Sequence, residues 1–147
     1  MREIVFRGKR CDNGEWVYGY YVESHHSWKG HKPHKSWIVG SPITNGGWFN
    51  LLQRYAVKDD TVGQYTGLTD KNGNKIFEGD ILQTRAKFKG VVTWNKKGYF
   101  YINDDEELKE KDCEILGVML ECVNRFEVIG EFEIIGNIID TPELLKG

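Results

Sequence analysis

The stretch Gln64-Tyr65-Thr66-Gly67-Leu68-Thr69-Asp70-Lys71-Asn72-Gly73-Asn74-Lys75-Ile76-Phe77-Glu78-Gly79-Asp80-Ile81-Leu82-Gln83 decides how this chain folds. Gln64–Leu68 reads as a strand. Asn72-Gly73 is a pair that tolerates positive φ, the strongest short-range hairpin signal. Lys75-Ile76-Phe77 therefore returns antiparallel, with Ile76 and Phe77 entering a core. Glu78-Gly79-Asp80 then turns the chain sharply into a second strand over Ile81–Lys87. A Gly-Asp pair ahead of an apolar strand lets the carboxylate hold the amides of its own turn. Gly67, Asp70, Asn72, Gly73, Glu78, Gly79 and Asp80 are accordingly read as structural positions.

The same grammar extends outward in both directions. Glu3–Arg7 alternates, Asp12-Asn13-Gly14 supplies another turn, and Glu15–Glu23 is rich in the Trp, Val and Tyr that strands favour. Residues 24–35 have no period and read as a loop, Ser36–Gly40 as a short strand, and Ser41–Gly47 as a second loop. Trp48, Leu51, Leu52 and Tyr55 stand at helical spacing over about two turns. Downstream, Gly90–Asn95 and Tyr99–Asn103 flank Lys96-Lys97-Gly98 as a hairpin. Residues 108–123 fit either period, and Leu116, Met119, Leu120 and Val123 favour a helix there. Phe126-Glu127-Val128-Ile129-Gly130-Glu131 is then repeated as Phe132-Glu133-Ile134-Ile135-Gly136-Asn137. The even step of six puts matching side chains on one face of a strand, with a bend expected at Gly130 or Gly136. Thr141-Pro142 opens a short closing helix, with Thr141 as N-cap. Short strands at regular spacing predict a mostly β protein, a small barrel or sandwich. We expect a β-rich N-terminal unit over 1–60 and a barrel region over 61–147.

At 147 residues the chain has room for one domain or two small ones. No run approaches about 18 uninterrupted apolar residues, so a membrane-spanning helix is excluded. Aromatic residues at 13% are too many for a chain unable to build a core. Cys11, Cys113 and Cys122 are odd in number without CxxC spacing, which argues against a disulfide framework. The N-terminus lacks the apolar core of a secretory signal, so a reducing cytoplasm is the expected compartment. The formal charge of −2 conceals an uneven distribution: residues 1–102 carry a net +7 and residues 103–147 a net −9. Such asymmetry points to a polyanionic partner or to one surface made to meet another.

The segment Gln64–Gly73, running on to Ile76-Phe77-Glu78-Gly79-Asp80-Ile81, resembles the signature of YopX-like proteins of bacteriophages and prophages. The opening Met1-Arg2-Glu3-Ile4 with Phe6-Arg7 agrees with it, as does Ile135-Gly136-Asn137-Ile138 before Pro142-Glu143-Leu144-Leu145. The likeness covers both ends and the middle of the chain in the expected order. It implies a phage-encoded, β-rich protein with an SH3-like barrel in its second half and an oligomeric habit. No catalytic residues come with it. The His-rich loop and residues 103–125 fall outside the pattern, and the repeated Phe-Glu-x-Ile-Gly departs from it.

Several groupings invite chemistry. His25, His26, His31 and His34 are all the histidines of the chain, but no Cys, Asp or Glu lies within their loop and no helical face organises them. A solvated loop is the expectation, with no metal and no cofactor. Glu78 and Asp80 stand two apart, as an acid–base pair or cation seat would, yet no partner has matching spacing. Neither phosphate-loop pattern occurs. Lys87, Lys89, Lys96 and Lys97 surround Trp94, Tyr99 and Tyr101, the mixture with which small barrels bind single-stranded nucleic acid. Phe126, Val128, Phe132, Ile134 and Ile138 share one apolar strand face, a candidate surface for homo-oligomer assembly. The expectation is a non-enzymatic, oligomerising interaction module. A nucleic-acid-binding accessory protein is the alternative, and a metal-dependent enzyme using the His loop stands third.

Overall fold

The computed structural model describes residues 3–24, 36–40, 53–83, 87, 89–94, 100–103 and 132–146. The His loop, residues 41–52, the Lys96-Lys97 turn, residues 108–123 and the first copy of the repeat lie outside the described residues. The chain is mostly β, and it divides into two compact units, residues 1–65 and 66–147.

In the first unit, β1 (Phe6–Lys9) and β2 (Trp16–Glu23) form a hairpin in the register Phe6↔Gly19 to Lys9↔Trp16. The turn between them is built locally: the Asn13 side chain accepts the Glu15 N–H and Gly14 carries φ 72°. Antiparallel pairing continues through β3 (Ser36–Val39) to β4 (Arg54–Val57). Where helical spacing was expected, Arg54–Val57 is a strand, because it pairs with Ser36–Val39 and buries Val57 against Gly8 of β1, while Trp48–Leu52 lie outside the described residues. A 3-10 helix (Asp59–Thr61) leads into β5 (Gly63–Thr69), whose first residues pair with Phe6 and Arg7 of β1. Ile38 and Val57 are buried on the inner side of this sheet and Val5 precedes β1 fully buried.

In the second unit, the end of β5 pairs with β6 (Lys75–Phe77). A four-stranded antiparallel sheet follows, with spatial order β10-β7-β8-β9. Its strands are β7 (Asp80–Gln83), β8 (Lys89–Trp94), β9 (Phe100–Asn103) and β10 (Glu133–Asn137). Among the described residues β9 and β10 are edges, so the sheet stays open rather than closing into a barrel. Ile76, Leu82, Val92 and Phe132 form the core, with Leu68 and Ile134 packed against it.

The bend expected near Gly136 is a β-bulge, with the register shifting between Ile134 and Gly136 opposite β7. A Cβ at Gly136 would stand 2.1 Å from the Thr141 hydroxyl, so the chain folds back onto a backbone that only glycine leaves open. Thr141 does not cap the closing 3-10 helix (Pro142–Leu145) through its side chain. Its hydroxyl instead accepts the Asn137 N–H and donates to the Asn137 carbonyl, tying the helix start to the end of β10.

Candidate functional site

The two signature aspartates of the second unit, Asp70 and Asp80, face inward and bind the chain's own backbone. Asp70 is 5% exposed. One carboxylate oxygen accepts the N–H groups of Asn72 and Asn74 at 2.9 and 2.8 Å. The other accepts the Asn74 amide at 3.2 Å and, from 64 residues away, the Ile134 N–H at 3.3 Å. Burial alone would raise this carboxyl's pKa. The donors from Asn74, Ile134 and Asn72 outweigh it and hold the group below the ordinary carboxylate range. Next to it the Lys71 N–H donates to the Phe132 carbonyl, and the Lys71 ammonium meets Glu133 at 2.6 Å. One turn thereby anchors β10.

The second signature turn works the same way. Asp80 is 2% exposed and accepts the Phe77 N–H at 2.8 Å. Gly79, with φ 84°, donates its N–H to Val92 and receives the Ile138 N–H on its carbonyl. Gly67 and Gly73 likewise have positive φ, 89° and 83°. Thr66 closes the hairpin from inside, its hydroxyl donating to the Ile76 carbonyl. The half-buried Glu78 sits within this turn between Phe77 and Gly79. Among the described residues, no three His, Cys, Asp or Glu side chains group as metal ligands.

The aromatic and basic residues expected to line one surface of the second unit are not all drawn to it. Lys87 is exposed, with φ 70°, and Trp94 is 42% exposed at the end of β8. Lys89 turns to the closing helix, its ammonium donating to the Leu144 carbonyl at 2.9 Å. Tyr101 is placed in β9 opposite Thr93, whereas Lys96, Lys97 and Tyr99 lie outside the described residues. The apolar tail face is corrected in part. Phe132 is 4% exposed in the unit's own core and Ile134 packs against it, because β10 completes the sheet beside β7. Ile138 alone of the described set stays open, at 40%. Phe126 and Val128 lie outside the described residues.

A surface the sequence reading passed over appears in the first unit. Directly opposed residues of antiparallel strands project to one side of the sheet. One side carries Phe6, Tyr21, Ile38 and Val57 and is the inner one, with Phe6 and Tyr21 in ring contact at 5.5 Å. The other side carries Trp16, Tyr18, Tyr20 and Val22 along β2. Opposite them stand Arg7 and Lys9 on β1 and Trp37 on β3, with Arg54 beyond on β4. The Arg7 guanidinium lies 4.7 Å and the Lys9 ammonium 5.5 Å from the Trp16 ring centroid, and Arg54 lies 5.6 Å from that of Trp37. Arg7 is itself buried, at 7% exposed, and the more open Lys9 and Arg54 pairs each add about 0.5–1 kcal/mol. Tyr20 and Val22 are 54% and 47% exposed. The alternation Trp16-x-Tyr18-x-Tyr20-x-Val22 was the available signal; its cationic neighbours depend on strand register.

Comparison with known proteins places this arrangement. The model of the family described as YopX protein matches residues 5–146. The chain belongs to the YopX family. That match spans the signature turns and the β1–β4 sheet alike. The solved structure titled as protein EF1440 from Enterococcus faecalis is similar over 99% of both chains, with a TM-score of 0.51 and 20% sequence identity. At that identity the likeness speaks for the fold alone. No curated protein matches.

Proposed function

We propose that this YopX family chain is a non-enzymatic interaction module, encoded by a phage or prophage and working as a homo-oligomer. The observation that carries the reading is the engagement of Asp70 and Asp80. Carboxylates that serve as an acid–base pair or seat a cation present oxygens to substrate, water or metal. Here they accept backbone N–H groups of their own turns. Along β2 and β4 the first unit offers outward Tyr20, Val22 and Arg54, an aromatic, apolar and cationic mixture suited to noncovalent contact. No helix among the described residues is long and apolar enough to cross a membrane. The oligomeric part of the reading draws on the charge split, since the acidic segment of one copy complements the basic body of another.

Thermal unfolding with added Mg²⁺, Mn²⁺ or Zn²⁺, and again with chelator, tests the non-enzymatic part. A ligand bound only by the folded state at a hundredfold excess over its Kd adds about 2.7 kcal/mol. The reading expects no metal-dependent change in Tm. A rise in Tm with one cation that vanishes in Asp70→Asn or Asp80→Asn contradicts it.

A further inference from the structure

We infer that the outer face of the β1–β4 sheet binds single-stranded nucleic acid through base stacking on its rings. The inference rests on the interaction-module reading and names its partner. Trp16, Tyr18 and Tyr20 follow one another on β2 at every second residue, a stride of about 6.6–6.8 Å. Rings in such a row on a sheet are a platform on which successive splayed bases lie. Lys9 and Arg54 lie at cation–π distance over the Trp16 and Trp37 rings, where they meet the phosphates of a strand stacked along the row, whereas Arg7, 7% exposed, is buried against Trp16. None of the described strand residues on this face is acidic. Charge and shape therefore complement a flexible polyanion bearing flat apolar groups. A duplex hides its base faces and fits this platform poorly. Tyr20, the most exposed ring of the row at 54%, is the position to probe.

The test is fluorescence anisotropy of the full chain with labelled oligo(dT) and oligo(U) of about 16 nucleotides, and a duplex of equal length, at about 50–200 mM salt. The single strands are expected to bind, and the duplex at least tenfold more weakly; comparing dT with U separates DNA from RNA. Tyr20→Ala weakens binding about tenfold, whereas Tyr20→Phe retains it. Arg54→Gln flattens the log–log salt dependence by about 0.7, the share of one phosphate. Lys146→Ala, at an exposed cation of the second unit, leaves affinity unchanged. Both Tyr20 and Arg54 are exposed, and circular dichroism melts of each variant check that it folds. Absence of binding at about 50 mM salt, equal affinity for duplex, or indifference to Tyr20→Ala overturns the proposal. If Tyr20→Ala changes the mass in solution but not oligonucleotide binding, the face docks a second copy; the nucleic-acid proposal then falls while the module reading stands. A cation-dependent Tm lost in Asp70→Asn overturns the module reading itself.

Discussion

Asp70 joins residues that are close in sequence to one that is remote, and its chemistry sets what a substitution there does. Two N–H groups of its own turn and that of Ile134 converge on one charged acceptor. Replacing it by Asn keeps the shape but turns an NH₂ toward N–H donors. Asp70→Asn is expected to lower stability by about 2 kcal/mol, read as a shift in urea midpoint. The pH dependence has a definite sign. Because the folded-state pKa lies below the unfolded value, this contribution is complete above the ordinary carboxylate range and drains as pH falls through the folded pKa. The gap between wild type and Asp70→Asn should accordingly be constant near neutrality and narrow once the pH falls below about 4. A gap that widens toward acid would refute the assignment. That Asp70 opens the turn made by Asn72-Gly73 is a local property of neighbouring residues, and so was readable from the chain. That Asp70 also holds Ile134 was not, because no local pattern encodes a contact across 64 positions.

At the scale of elements, β10 and the closing helix form a joint in which Gly136 is the tight point. An added methyl there meets the Thr141 hydroxyl and the Leu144 side chain, whereas at Gly73 it meets nothing within 4 Å and adds only the strain of a positive φ. Gly136→Ala should cost about 2–3 kcal/mol and Gly73→Ala about 1 kcal/mol, compared by chemical denaturation. Equal costs would mean that the clasp on Asn137 is not formed in solution. Hairpins set by Asn13-Gly14 and Asn72-Gly73 were legible, since the turn residues are adjacent to the strands they join. Arg54–Val57 was not, since Tyr55 fits a helical spacing until β3 is there to pair with it. The tail face misled for a related reason. Alternation identified Phe132 and Ile134 as one apolar side without revealing that their own sheet and core cover them. Likewise, spacing grouped Lys89 with Trp94, while the fold sends Lys89 to the Leu144 carbonyl.

For the whole molecule, the net charge of −2 is the sum of a basic body and an acidic segment. A mostly β chain was predictable from composition and turn spacing. The outer face of β1–β4 was not, because bringing Arg7, Lys9, Trp37 and Arg54 beside the β2 rings is a matter of register across four strands. The picture we propose is an assembled binding module whose signature aspartates maintain its turns and whose exposed rings and cations would make its contacts. Attraction between copies through opposite charge weakens as salt shortens the Debye length from about 10 Å at 0.1 M to 3 Å at 1 M. Light scattering after size exclusion, run across that salt range, therefore tests the assembly most directly. A mass that is a multiple of 17.0 kDa at low salt and falls as salt rises is the expected result. A mass of 17.0 kDa at every salt concentration would contradict it.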